Sequence, residues 1–296
     1  MFHCTVNSVS RSRGRSASGA AAYISASTAT DHFPETPVHF DYRKKTKPVG
    51  QPIVWHQSVK TPAEFGALLD SQENRKNSVT AREIIVALPH SLTDQKRREI
   101  VENLGDQIVA RWDAPALAAI HRPDRGGDQK NDHVHFLIST RDFGGAKIRK
   151  LDVKQTATVE VAWLREATSQ AIQAALPEAE WAEWDHRSYE AQGVDKAPTK
   201  HEGPLVTTMR RKGLRLDRAK ANDTIAWSNQ EKVIRAGFAP GGEQSESIRR
   251  PSGMLSCPTP NEPKPEVETD RFAFLRQPSG MFKAPKAPEP APDIDW

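Results

Sequence analysis

Apolar residues in this chain recur at two periods, and segments of the two kinds alternate. Phe2 to Val9 reads as a short strand, and Glu83-Ile84-Ile85-Val86-Ala87-Leu88 as another, closed by Pro89. Ala116-Leu117-Ala118-Ala119-Ile120-His121 and His133-Val134-His135-Phe136-Leu137-Ile138 are two further strand-like runs, separated by a long polar loop from Arg122 to Asp132. Helical patterns lie around them. The stretch Arg11 to Tyr23 ends Ala-rich, which favours helix. Thr61-Pro62-Ala63-Glu64 is a capping box with proline at the first helical position, and Phe65, Leu68, Leu69 and Gln72 follow on one face. Thr93 opens another helix, with Ile100, Val101, Leu104, Ile108 and Trp112 at core spacing. A further helix is predicted over roughly 157–176, with Trp163, Leu164, Ala167, Ala171 and Ala175 on one face, and a more polar one over 205–236. Residues 31–60, rich in proline and polar residues, read as loops or edge structure. Strands mixed with helices, with a hairpin near the centre, predict an α+β fold: a central antiparallel sheet covered by helices.

Composition changes this picture at the C-terminal end. Only 36% of the 296 residues are hydrophobic, low for a wholly globular chain. Ten of the 22 prolines fall in residues 241–296, so that stretch reads as a disordered tail. It carries a near-repeat, Arg250-Pro251-Ser252-Gly253-Met254-Leu255 and Arg276-Gln277-Pro278-Ser279-Gly280-Met281-Phe282, either two docking segments for a partner or a simple duplication. The net charge is +4 and unevenly spread: residues 1–60 hold eight Lys/Arg against three Asp/Glu, and residues 241–296 hold seven against nine. A basic N-terminal region suggests a polyanionic partner, although an ordinary basic surface has the same count. The two cysteines, Cys4 and Cys257, form no Cys-x-x-Cys pair, which indicates neither a disulfide framework nor a zinc ribbon and fits a reducing cytoplasm. The start, Met1 to Asn7, lacks the order of a signal peptide, and no run approaches membrane-spanning length.

Three features carry candidate chemistry. In a strand, His133 and His135 point to one face. If the strand ending at His121 pairs with theirs, three imidazoles converge, and three neutral imidazoles suit a divalent metal with open coordination positions. The alternative is a pair of histidines hydrogen-bonded to the sheet. Glu83, opening its own strand, either polarises a ligand or accepts a proton near those imidazoles, or is a solvated strand end. Tyr23 follows Arg11, Arg13 and Arg15, which could grip phosphates. A phenol has a pKa of about 10 and becomes a useful nucleophile where cations stabilise its developing charge; alternatively the ring packs its helix on the sheet.

The chain resembles the MobA/MobL family of plasmid mobilisation relaxases from about residue 2 to 204. The resemblance rests on six blocks in the family's order: Ser10 to Ala17 through Ala22-Tyr23; Phe40-Asp41-Tyr42-Arg43-Lys44; Ala81-Arg82-Glu83 through Pro89; Ala119-Ile120-His121; Asn131-Asp132-His133-Val134-His135; and Asp185-His186-Arg187-Ser188 through Gln192-Gly193, Pro198, His201 and Gly203-Pro204. It implies a relaxase or HUH-endonuclease-like fold at 1–204, to which the residue pattern adds a helical extension at 205–240 and the tail at 241–296. It also implies that Tyr23 is the nucleophile, with Glu83 beside it in the catalytic site, and that His121, His133 and His135 hold Mn2+ or Mg2+ rather than zinc. His186, Arg187 and His201 would contact DNA or lock the domain's last segment. Arg11, Arg13, Arg15, Arg43, Lys44, Lys45 and Arg187 become candidates for DNA contacts.

The activity so implied is a conjugative relaxase. It would nick one strand at an origin of transfer through a 5′-phosphotyrosine and later religate it, working in the bacterial cytoplasm with relaxosome accessory proteins and a type IV secretion coupling protein, and would be exported with the transferred DNA. The runners-up are a rolling-circle replication initiator, a three-His zinc hydrolase and a non-catalytic DNA-binding protein. One departure stands out: members often read Ala-Tyr-Arg-Ser-Gly, whereas here the run is Ala22-Tyr23-Ile24-Ser25-Ala26, which lacks a basic side chain beside the tyrosine.

Overall fold

The computed structural model describes residues 2–33, 35–123 and 129–237; the tail assigned to 241–296, with its repeated Pro-Ser-Gly-Met, lies outside them. Five strands form one antiparallel sheet: β1 (Cys4–Ser10), β4 (Val49–Trp55), β5 (Val79–Ala87), β6 (Ala116–His121) and β7 (His133–Ser139), in the order β1-β5-β7-β6-β4. A small hairpin, β2 (Thr28–Asp31) with β3 (Val38–Asp41), stands apart. The helices are α1 (Ala17–Ser25), α2 (Pro62–Ser71), α3 (Asp94–Trp112), α4 (Lys154–Gln173), α5 (Gly203–Arg211) and α6 (Asp217–Gly237). Up to Ala236 the described residues form one compact unit.

Period-two alternation assigns the sheet's faces. Ile84, Val86, Ala118, Ile120, Val134 and Phe136 face a core completed by Ile100, Leu104 and Ile108 of α3 and Leu164 of α4. Ala81, Leu117 and Leu137 face the opposite way, onto Ala17, Ala20, Ala21 and Ile24 of α1 and Phe65 and Leu69 of α2. Small side chains let α1 lie close to the sheet, and Gly66 lets α2 lie close to α1, because a Cβ there would sit 2.6 Å from Ser18 Cα.

The elements expected from periodicity are present, with shifted ends. The helix read over 157–176 is Lys154–Gln173, and the segment read over 205–236 is two helices, α5 and α6, separated near Gly213, whose φ is +79°. Residues 31–60 hold the β3 and β4 strands. Gly50 and Pro52 obscured β4 in the sequence, and an edge strand accommodates both: its pairing with β6 is irregular between Val49 and Ile53.

Candidate metal centre and nucleophile

β6 and β7 pair so that His121 lies opposite His133 and Ala119 opposite His135. Their imidazoles therefore share the face covered by α1. One nitrogen from each of the three rings lies within 4.8 Å of the others, and the ring centroids are 4.7–5.5 Å apart.

The second nitrogen of every ring is occupied. His121 donates from Nε2 to the Ile24 carbonyl at 2.6 Å. His133 donates from Nδ1 to the Asn131 carbonyl at 2.8 Å, and His135 from Nδ1 to Glu83 Oε1 at 3.1 Å. These bonds fix the tautomers and leave lone pairs on Nδ1 of His121 and Nε2 of the other two, as metal-binding imidazoles require. Burial, which outweighs the Ile24 hydrogen bond and is reinforced by His135, Lys45 and His133, brings the pKa of His121 down to about 3, so the ring is neutral near pH 7. The donor set fits a divalent metal, and His121, His133 and His135 are the residues that would hold it.

Glu83 sits opposite Leu137, diagonal to His135 across the β5–β7 ladder. Its Oε1 accepts a hydrogen bond from His135 Nδ1 and its Oε2 one from Arg15 at 2.9 Å. Burial alone would raise its pKa; the bonds from His135 and Arg15 overcome this and hold it at about 2. A carboxylate with both oxygens taken and so low a pKa is a poor base and a good orienting group.

Tyr23 leaves the last turns of α1 half-exposed, at 41%. Its ring centroid is 6.5 Å from that of His121 and 6.3 Å from that of His135. Tyr42 meets it edge-on at 5.4 Å, and Lys45 Nζ stands 4.1 Å over its ring and 3.4 Å from His121 Nδ1. Position 24 is a buried isoleucine, and the cation beside the tyrosine is Lys45, from the segment after β3. A small cleft lined by Tyr23, Lys45, Thr46, Lys47, His121, Arg122 and His133 opens here.

The other basic candidates divide. Arg11 turns inward: its side chain is 6% exposed, donates to the Asp70 and Glu73 carbonyls and lies under the Phe33 ring. Its geometry is that of a structural brace, not of a DNA contact. Arg15 is engaged with Glu83, Arg43 with Asp41 and Arg187 with Asp185, and all three are exposed, as are Arg13 and Lys44. His186 lies 3.9 Å from Asp185, and the His201 carbonyl accepts from Arg218. Sequence reasoning missed the carbonyls of Ile24 and Asn131, which have no side-chain signature, and the placement of Tyr42 and Lys45 against Tyr23.

The MobA/MobL family model matches residues 15–212. This chain belongs to the MobA/MobL family. It is 27% identical over 274 residues to mobilization protein A of Escherichia coli, covering 84% of this chain and 36% of that protein. It is 28% identical over 250 residues to mobilization protein MobL of Acidithiobacillus ferridurans, covering 72% and 64%. This MobA/MobL chain thus spans between about a third and two thirds of the length of these curated relatives. Among solved structures, one described as "Molecular Basis of Vancomycin Resistance Transfer in Staphylococcus aureus" matches with a TM-score of 0.49 at 20% identity, over 66% of this chain and 95% of that one. The metal-bound conjugative relaxase TrwC in complex with oriT DNA matches with a TM-score of 0.35 at 12% identity, over 80% and 99%. Both likenesses are too distant to bear on function. Among the described residues, no helix is long and apolar enough to cross a membrane.

Proposed function

We propose that this MobA/MobL protein is a relaxase that nicks and rejoins one DNA strand at a plasmid origin of transfer. The observation that carries the reading is the placement of Tyr23 on the same sheet face as the three histidines, with Lys45 over its ring. Tyr23 Oη attacks a backbone phosphorus; a new O–P bond forms, the bond to the 3′ oxygen breaks, and the 5′ phosphate stays on the tyrosine. The phenol loses a proton and the 3′ oxygen gains one, so no water is consumed and the reverse step rejoins the strand. A divalent metal on the histidines, read as Mn2+ or Mg2+ from the phosphoryl chemistry, would neutralise charge on the phosphate.

Lys45 stabilises the charge that develops on the phenol and phosphate. Glu83 keeps His135 in its ligating tautomer. Arg13 and Lys44, with Lys47 and Arg122 at the cleft, contact the backbone of a single-stranded target. Origin DNA is the substrate, and accessory proteins with a secretion coupling protein are the partners this reading carries; the work is done in the bacterial cytoplasm, and the protein travels with the strand it holds.

The test mixes the purified chain with supercoiled plasmid bearing its origin and Mn2+ or Mg2+. The expected product is a nicked circle with protein covalently attached, and Tyr23→Phe should lose the adduct while still binding metal. Breakage that survives Tyr23→Phe with no protein attached would favour a hydrolase using metal-bound water and refute the proposal.

A further inference from the structure

The strand ends that carry His121 and His133 are also held from the sheet's opposite face. Among the described residues they form the last pair of the β6–β7 ladder. The first turn of α3 supplies two side chains there. Asp94 Oδ2 accepts from Arg122, the residue after His121, at 2.6 Å, and Asp94 Oδ1 accepts from Arg97 at 2.8 Å. The Arg97 side chain, 4% exposed, donates to the Pro89 and His90 carbonyls at 3.0 and 2.8 Å and lies 3.3 Å from Asp132 Oδ2. Asp132, the residue before His133, is 1% exposed; its carboxylate also accepts from His90 Nδ1 at 2.8 Å, and its carbonyl accepts from Leu88 N at 2.8 Å.

A continuous chain of charged contacts, hydrogen bonds at Asp94 and an ion pair at Asp132, thus runs from the neighbour of one histidine, through one helical turn, to the neighbour of another. Burying an arginine and an aspartate is costly, and apolar side chains could fill the same space. A packing role alone therefore does not account for the choice. The exposed link, Asp94 to Arg122, adds little to stability as a surface pair. What both links fix is position. His133 is oriented by the Asn131 carbonyl, so its nitrogen goes where the Asn131–Asp132 backbone goes, and Asp132 sets that backbone. His135, in the body of β7 and held by Glu83, needs no such help.

We propose that Asp94, Arg97 and Asp132 are positioning residues for the metal centre, a clasp that sets the separation of His121 and His133. The inference rests on the metal-binding reading of the three histidines.

The test measures Mn2+ affinity by calorimetry and the metal-free melting midpoint on the full chain. Asp132→Asn, which keeps the shape and removes the charge, should weaken Mn2+ binding roughly tenfold, the low end for losing a partner of a ligand residue. Asp94→Asn and, from the exposed end, Arg122→Gln should each weaken it severalfold with the midpoint nearly unchanged, which keeps the test valid if Asp132→Asn folds poorly. In a His133→Ala background the same changes should add nothing, because the ligand they place is gone. Unaltered Mn2+ affinity in folded variants, or the full loss persisting in His133→Ala, would overturn the clasp while leaving the metal centre standing. Wild-type protein that binds Mn2+ no better than a variant lacking all three histidines would bring down both.

Discussion

At the residue scale, Lys45 meets two groups with opposite demands. Its ammonium lies over the Tyr23 ring and 3.4 Å from His121 Nδ1, the nitrogen that must give its lone pair to a metal. A cation at that nitrogen repels a second one. Lys45→Met, which keeps the stem and removes the charge, should therefore bind Mn2+ more tightly in the absence of DNA and nick more slowly, by about tenfold or more for the loss of a charge aimed at the reacting group. Calorimetry and a plasmid nicking gel read the two effects separately; weaker metal binding in the variant would contradict this placement of the charge. The end of α1 is strained at the same scale: Ala26 closes it with φ at +49°, a left-handed conformation that costs a side-chain-bearing residue about 1 kcal/mol. Ala26→Gly should raise the melting midpoint by a few degrees, less whatever its buried methyl contributes. A lowered midpoint would show that the methyl matters more than the backbone.

At the element scale, the nucleophile is placed by how α1 is held. Ser16 caps it by accepting from Gly19 N, and Asp70, at the end of α2, accepts from Ala17 N and Ser18 N at 3.0 and 2.7 Å. Three otherwise unpaired amides at the helix start are satisfied, and a carboxylate sits where the helix dipole favours it. Gly66 permits the contact that brings Asp70 there. Gly66→Ala must push the helices apart and should cost about 1–3 kcal/mol by overpacking. It should also reduce nicking in the fraction that stays folded, since Tyr23 rides on α1. A variant with normal nicking and a normal midpoint would show that α1 is placed by other contacts.

At the scale of the whole molecule, the metal centre couples to acid stability. His121 has its pKa lowered from 6.5 to about 3, and Glu83 from 4.5 to about 2. Both shifts are downward, so the unfolded chain binds more protons than the folded one within these windows, and stability falls as pH falls. The contribution of His121 is whole above about 6.5 and declines toward 3, and that of Glu83 is whole above about 4.5 and declines toward 2. The metal-free midpoint should therefore drop between pH 7 and pH 4, and His121→Gln should flatten the upper part of that drop. A wild-type midpoint level over this range would refute the shifts.

Much of the local structure and part of the site were legible in the residues. The capping box at Thr61, the core spacing of Ile100 to Trp112 and the alternation in His133-Val134-His135 are local patterns, and backbone geometry converts each into an element or a face without reference to the rest of the chain. The order of the six motif blocks likewise named the family. What the sequence could not contain was adjacency between distant segments. Nothing in Phe40 to Lys45 says that Tyr42 and Lys45 close on Tyr23, nothing in Arg11 says that it turns inward while Arg15 reaches Glu83, and the carbonyls of Ile24 and Asn131 look like any others. Those facts follow from strand order and helix approach, which depend on packing among residues dozens of positions apart. The chain alone determined that three imidazoles would share a face if two strands paired; the tertiary structure decided that they do, and which groups lock their tautomers and bring the tyrosine to them.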